Sequence, residues 1–358
     1  GKTYSQIPDS NQHDVNSAIK AAESALPAWR SMPSEQRADI LSNIAMEIER
    51  QLEPLANAEA KDNGKPISLA RTVDIPRAAS NFKFFAQASS QFASESHAMP
   101  GEAINYTLRQ PIGIVGCISP WNLPLYLFTW KIAPALAAGN CVIAKPSEVT
   151  PYTAFLLGKI CQDAGLPDGV LNILHGTGAS IGAAICDHPK VKAISFTGGS
   201  STGAAIAAQV APKFKKLSLE LGGKNPALIF ADCDFEQTVE QMVRASFTNQ
   251  GQICLCASRI YIERSIYEKF KTAFVEKVKQ LVPDDPMLEN TQLGAIVSKR
   301  HFDKVMGYID LAQEEGAKIL TGGHAVQGEN RCAQGYFIMP TVIEALDNTA
   351  RGNREEVF

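Results

Sequence analysis

The chain lacks a long apolar run, a block of like charge and a cysteine–histidine cluster, and each absence removes a class of function. A membrane-spanning helix needs about twenty consecutive apolar residues, and no segment supplies them. Lys and Arg number 34 against 37 Asp and Glu, a net charge of −3, and no basic run is present. Neither nucleic acid nor a membrane surface is therefore expected as a partner. The first residues show no signal-peptide pattern, and the eight cysteines are scattered singly except for Cys254 and Cys256. That distribution is expected of a reduced, cytoplasmic protein, not of a disulfide framework. Nothing completes a zinc set with the Cys-x-Cys pair, and His13, His97, His175, His188, His301 and His324 have no ligand spacing, so no metal is expected.

What is present is length and alternation. At 358 residues the chain is too long for one simple core, and two domains are expected. Residues 13–93 carry apolar side chains at three- and four-residue spacing, predicting helices broken at Pro27–Pro33 and at Asn63–Pro66. Ala103–Arg109 alternates like a half-exposed strand. From Ile112 short apolar runs (112–118, 141–144, 170–174, 191–196, 217–221) alternate with helical segments, the pattern of a doubly wound parallel sheet. In such sheets ligands bind beyond the carboxyl ends of the strands, where Trp121-Asn122, Lys145–Glu148 and Gly198–Gly203 fall. A second α/β set runs from Pro226 onward, and there is no internal repeat.

The densest chemistry lies in Ser246–Arg259, S-F-T-N-Q-G-Q-I-C-L-C-A-S-R, after a segment (Phe235–Phe247) whose spacing suits a helix. Gly251 can enter left-handed backbone space, and the turn it allows would deliver Cys254 to a cleft as a nucleophile. A buried, inert cysteine is the other reading of the same residues. Glu220 sits between two leucines, where a carboxylate is costly to bury without a task or partner. Gly198-x-x-x-x-Gly203 opens a helix whose N–H groups suit a pyrophosphate, or simply packs closely. Gly176-Thr-Gly-Ala-Ser-Ile-Gly182 mimics a dinucleotide fingerprint, but its last spacing is one residue too long.

Six motifs in order, P-W-N at 120–122, K-P-S-E at 145–148, F-T-G-G-S-S-T-G at 196–203, L-E-L-G-G-K at 219–224, N-Q-G-Q-I-C at 249–254 and E-E-V-F at 355–358, resemble the aldehyde dehydrogenase superfamily from end to end. The resemblance implies an α/β fold: a doubly wound parallel-sheet cofactor domain (1–97 and 111–220), the first part of an oligomerisation hairpin (98–110) and a second α/β catalytic domain (221–358), C-terminally incomplete. It implies NAD-dependent oxidation of an aldehyde, with hydrolysis of a cysteine thioester and no transfer to coenzyme A. Cys254 would be the nucleophile, Asn122 an oxyanion donor beside the Cys254 backbone N–H, and Glu220 the base that activates water. Taken alone, Asn122 reads equally as a turn residue. The cofactor residues implied are Ile118, Ser119, Pro120, Trp121, Lys145, Ser147, Glu148, Gly178, Phe196, Thr197, Gly198, Gly199, Thr202, Leu221, Gly222, Glu356 and Phe358. A carboxylate at Glu148 accepts hydrogen bonds from a free ribose hydroxyl and repels a phosphate there, favouring NAD over NADP.

Two further stretches, 70–82 and 121–131, look like the branch that oxidises 2-aminomuconic or 2-hydroxymuconic semialdehyde. This assigns Arg77 to the substrate carboxylate and Trp130 to the substrate wall, with surface pairing as the other reading of Arg77. Alternatives for the whole chain are a general aliphatic, aromatic or betaine-type aldehyde dehydrogenase, or a non-catalytic structural member. A homodimer or homotetramer is expected of a complete chain. The ending at Phe358 is expected to mark a segment of a longer protein; were it the true end, an unstable or inactive product is expected.

Overall fold

A computed structural model describes residues 3–358. These residues divide into two compact units, one comprising Ser5–Leu55 and Val73–Glu220, the other Ala56–Thr72 and Leu221–Phe358 together with Tyr4.

The first unit begins with α1 (Gln12–Ser31), started by a capping box in which the Asn11 side chain accepts from the His13 N–H and Asp14 accepts from the Asn11 N–H. Pro27 was expected to break this helix, yet α1 runs through it. Pro27 and Glu23 are both exposed, so the Glu23 carbonyl that loses its helical partner faces water. The break falls at Met32, held extended (ψ 132°) by the proline that follows it. In chain order follow α2 (Ser34–Arg50), α3 (Leu52–Asn63), the single turn α4 (Ile67–Leu69) and a π-helical turn (Ala70–Asp74), of which residues 56–72 belong to the second unit, and then α5 (Ile75–Ser90), again in the first. A hairpin of β1 (Ser96–Met99) and β2 (Ala103–Tyr106) follows, and all eight residues are exposed, not alternately buried as expected.

The central sheet contains β3 (Ile114–Ile118), β4 (Cys141–Lys145), β5 (Leu171–Ile173), β6 (Val191–Gly198) and β7 (Lys216–Leu221), ordered β5-β4-β3-β6-β7. β3 runs parallel to β4 and β6, and β4 to β5. The intervening helices are α6 (Pro124–Ala137), α7 (Tyr152–Asp163), α8 (Ala183–Asp187) and α9 (Ser200–Val210). Every residue of β3 and β4 is buried, which is why both read as continuous apolar runs. The strand order reverses between β3 and β6, and in an open parallel sheet a ligand crevice forms at that switch point.

In the second unit β8 (Pro226–Ile229) pairs in parallel with β9 (Arg259–Ile262). Against them pack α10 (Phe235–Phe247) and α11 (Tyr267–Val278), closing a core of Ile229, Val239, Met242, Phe270, Phe274 and Val278. Residues 56–72, expected with the cofactor domain, join this unit through backbone bonds from Ala295 N–H to the Gly64 carbonyl (2.8 Å) and from Ile67 N–H to the Pro286 carbonyl (2.7 Å). Among the described residues no helix is long and apolar enough to cross a membrane, and no cluster of His, Cys, Asp or Glu could hold a metal.

Candidate active site

In the first unit the strand ends gather most of the residues singled out from the sequence. β3 delivers Ile118 and Ser119 into the Pro120–Asn122 turn, and β4 ends at Lys145, whose carbonyl accepts from the Ser119 N–H at 3.1 Å. The buried Lys145 ammonium donates to Glu148 Oε2 at 2.8 Å and to the Pro146 carbonyl at 2.9 Å. Burial works to raise the Glu148 pKa, but the Lys145 hydrogen bond and the backbone N–H groups of Glu148 and Gly178 prevail and hold it below the ordinary carboxylate value. Gly178 is thus drawn to Glu148. Ser147 accepts from the Val149 N–H at 3.2 Å, closing the loop that presents Glu148.

β6 ends at Gly198. A Cβ there would collide with the buried Phe196 ring, so the glycine is required by close packing. Gly199 then caps α9 without any side-chain hydrogen bond, and Thr202 lies exposed in the first turn. The first N–H groups of α9 therefore carry no side-chain cap, and the positive end of the helix faces out. Apart from the adjoining residues of the chain and of the helix, nothing lies within 4 Å of where a Cβ of Gly178 or Gly199 would stand.

Glu220 differs from its expectation. β7 is an outer strand, and Glu220 is exposed near its end, so no burial cost attaches to it. Its carboxylate acts on Lys131 of α6, a residue the motifs contained but gave no role. Lys131 is buried, and its ammonium donates to Ser195 Oγ at 3.2 Å. Burial lowers its pKa, while Cys117 and Glu220 act in the opposite sense. Cys117 lies under the same helix, its thiol donating to the Lys131 carbonyl (3.7 Å) and pushed up to about 12 by burial, the range of an inert structural thiol.

Asn122 is buried just before α6. One turn on, Tyr126 accepts from Arg77 Nη2 at 3.2 Å, and its ring lies 5.2 Å beneath the guanidinium carbon. Trp130 meets the Tyr126 ring edge-on at 6.4 Å and the Phe85 ring at 6.0 Å. Arg77 and Trp130 are thus joined through Tyr126. The surface ion pair that was the other reading of Arg77 does not form: among the described residues no carboxylate pairs with it.

In the second unit the chain leaves α10 through three successive left-handed residues, Asn249 (φ 55°), Gln250 (φ 59°) and Gly251 (φ 77°). Only the glycine adopts this without steric cost, so the other two are held there by their contacts. Asn249 Nδ2 donates to the Gln252 carbonyl (3.3 Å) and Gln250 Nε2 to the Ala295 carbonyl (3.0 Å), while Gln252 Oε1 accepts from the Val297 N–H (3.2 Å). Cys254 follows in a turn closed by the Cys256 N–H on the Ile253 carbonyl (3.0 Å). Asn225, 29 residues earlier, donates to the Cys254 carbonyl at 2.5 Å and to that of Cys256 at 3.2 Å. Cys254 is partly exposed, whereas burial pushes Cys256 up to about 11.

Glu356 lies on Gly222. A Cβ at 222 would overlap its carboxylate, and the Gly223 N–H donates to Glu356 Oε1 at 3.3 Å. Leu221 beside them is 37% exposed, so it offers an apolar surface to solvent. Phe358 packs edge-on against His301 at 6.0 Å. Cys254, Glu356 and Phe358 line one cavity of about 480 Å³. Asn225 beside Cys254, Lys131 beside Glu220 and Tyr126 beside Arg77 are partners of candidate residues to which sequence reasoning gave no role. Asn225 directly follows the L-E-L-G-G-K motif, and Lys131 is a charge inside an apolar helix, which were the available signals.

A family model described as "Aldehyde dehydrogenase family" matches residues 1–358. The chain is 48% identical over 368 residues to 2-aminomuconic semialdehyde dehydrogenase of Danio rerio, covering 100% of this chain and 74% of that protein. It is 49% identical over 364 residues to the Mus musculus protein of the same name, with the same coverage. Among solved structures, PnpE in complex with nicotinamide adenine dinucleotide superposes with a TM-score of 0.97 at 36% identity, covering 100% of this chain and 73% of that one.

Proposed function

The chain belongs to the aldehyde dehydrogenase family, and on that premise we propose that it is an NAD-dependent enzyme oxidising a carboxylated semialdehyde of the muconic type through a thioester on Cys254. The observation that carries this reading is the Cys254 turn. It is partly exposed, braced by Asn225 and reached through three left-handed residues, a conformation held in place at a cost that an inert thiol does not require.

The residues fit NAD. The uncapped start of α9 suits a pyrophosphate, the open space before Gly178 and Gly199 admits one, and the ionised Glu148 suits a free ribose hydroxyl. Glu356, laid over Gly222, is the second ribose acid, with Phe358 beside it. NAD complexes among the solved relatives support the same cofactor. When bound, NAD supplies the hydride acceptor.

The chain's own residues do the rest. The Cys254 thiolate adds to the aldehyde carbon, forming a C–S bond while the carbonyl oxygen takes the negative charge. That oxyanion needs hydrogen-bond donors, a role the family's pattern gives to the Asn122 amide, and one such donor is worth roughly 3–4 kcal/mol of barrier. Hydride loss leaves a thioester. Glu220 takes a proton from water, the oxygen attacks the acyl carbon, and the C–S bond breaks to release the acid and the thiolate. Lys131, whose ammonium burial makes readier to give up its proton, is suited to hand that proton to water through the Ser195 hydroxyl and, as the neutral amine, to take up the one that Glu220 collects. Arg77, free of any carboxylate partner, serves the substrate's far carboxylate. Assembly belongs to the same reading: the exposed β1–β2 hairpin, with Ile104 and Tyr106, is offered to a second copy.

The test is NADH formation with 2-hydroxymuconic semialdehyde, with Cys254→Ala as control. Turnover that disappears in the variant is expected, along with selective alkylation of Cys254. Undiminished turnover in the variant, or equal slow labelling of several cysteines, would refute the mechanism.

A further inference from the structure

We propose that Tyr126 and Arg77 together form a two-donor clamp for the carboxylate of an ω-carboxylated aldehyde, the Tyr126 hydroxyl both holding the guanidinium and donating its own proton to the ligand. The proposal rests on the reading of Arg77 given above and adds a residue to it.

A phenol oxygen has one proton to donate and lone pairs to accept with. At Tyr126 a lone pair is engaged by Arg77 Nη2 at 3.2 Å, and among the described residues no acceptor takes the proton. The residue is also fixed in place. Its backbone carbonyl accepts from Asn81 Nδ2 at 3.0 Å, and Asn81, only 2% exposed, also donates to Thr129 Oγ1 at 2.9 Å. Thr129 Oγ1 donates to the same Tyr126 carbonyl at 3.0 Å. A buried amide thus ties α5 to α6 at the residue that holds Arg77, and the Trp130 ring closes the other side.

The electrostatics point the same way. Elsewhere in the chain the guanidinium groups of Arg71, Arg331 and Arg351 are matched to Glu289, Asp285 and Glu355. Arg77 is exposed, lies over an aromatic ring and keeps its charge uncompensated, which is the state of an anion receptor without its anion. Tyr126 and Trp130, four residues apart in α6, share one face of that helix, so the indole walls the clamp. The aldehyde at the ligand's other end comes from the function proposed above.

The experiment compares 6-oxohexanoate with hexanal, equal in length and differing in the terminal carboxylate, in the wild-type full chain, Arg77→Gln and Tyr126→Phe. The readout is the ratio of kcat/KM for the two aldehydes, from which a general loss of folded enzyme cancels. Tyr126→Phe keeps the ring and removes only the hydroxyl. It is expected to lower the ratio about ten- to a hundredfold, chiefly through KM for 6-oxohexanoate, as for the loss of a hydrogen bond to a charged group. A ratio that falls in Arg77→Gln but stays within twofold of wild type in Tyr126→Phe overturns the clamp and leaves the arginine's role standing. A wild type without preference for 6-oxohexanoate overturns the arginine reading and the clamp with it. Should turnover be too low to measure, calorimetric titration with adipate decides: weaker binding by Tyr126→Phe supports the clamp, and equal binding overturns it.

Discussion

Replacing Gly222 by alanine separates the fold from cofactor binding with one methyl group. Gly222 has no left-handed backbone angle, so alanine is conformationally acceptable, and the loss of freedom in the unfolded chain stabilises by about 0.4–1 kcal/mol. The added Cβ would occupy the space of the Glu356 carboxylate. That carboxylate is the far end of a flexible side chain held there by the Gly223 N–H at 3.3 Å, so it swings away at small cost to the fold. Thermal stability is therefore expected to stay within about 1 kcal/mol of wild type. On the proposed cofactor reading the ribose contact goes with the carboxylate, and a hydrogen bond to a charged group is worth roughly 1.5–3 kcal/mol, about ten- to a hundredfold in Kd. NAD binding, followed by quenching of protein fluorescence, should weaken by that factor in Gly222→Ala and equally in Glu356→Ala. The double variant should be no worse than either, because both remove the same contact. Unchanged NAD affinity in Gly222→Ala, or additive losses in the double variant, would refute the reasoning.

Two further outcomes follow from the electrostatics. Glu148→Ser removes the negative charge that Lys145 holds ionised and leaves that ammonium for a phosphate, so the ratio of kcat/KM for NADP to that for NAD should rise at least about tenfold, whereas continued exclusion of NADP would show that another group rejects the phosphate. Burial holds the His301 imidazole well below its usual range, from 6.5 to about 4. A lowered folded value means that the unfolded chain takes up its proton first as the pH falls, so stability is full above about 6.5 and is lost towards 4, by roughly 2–3 kcal/mol at pH 4.5. Chemical denaturation at pH 7 and pH 4.5 should show that loss shrinking in His301→Gln, and an identical loss in the variant would exclude His301 as its source.

The sequence alone determined what depends on short-range sterics and local pattern. Short continuous apolar runs alternating with helical segments read as strands, and β3 and β4, buried throughout, were legible on that ground, as was the helix over 235–247. Side-chain chemistry also read directly: a cysteine after a glycine turn, a carboxylate after a strand, glycines where a helix begins. Where expectation failed, the missing quantity was exposure. Pro27 does not stop α1 because the carbonyl it orphans is wet, and Glu220 is not a buried carboxylate because its strand lies at the sheet's edge, neither of which is written in the neighbouring residues.

Only the tertiary structure decided the pairings. Gly223 meets Glu356 across 133 residues, and Asn225 meets Cys254 across 29. Arg77 meets Tyr126 across 49 because a buried asparagine ties two helices together. Local propensity acts over a few residues, whereas a hydrogen bond between distant segments exists only once the chain has packed and brought them within about 3 Å. The kinds of groups needed for the chemistry are therefore written along the chain, and their partners are written in the fold.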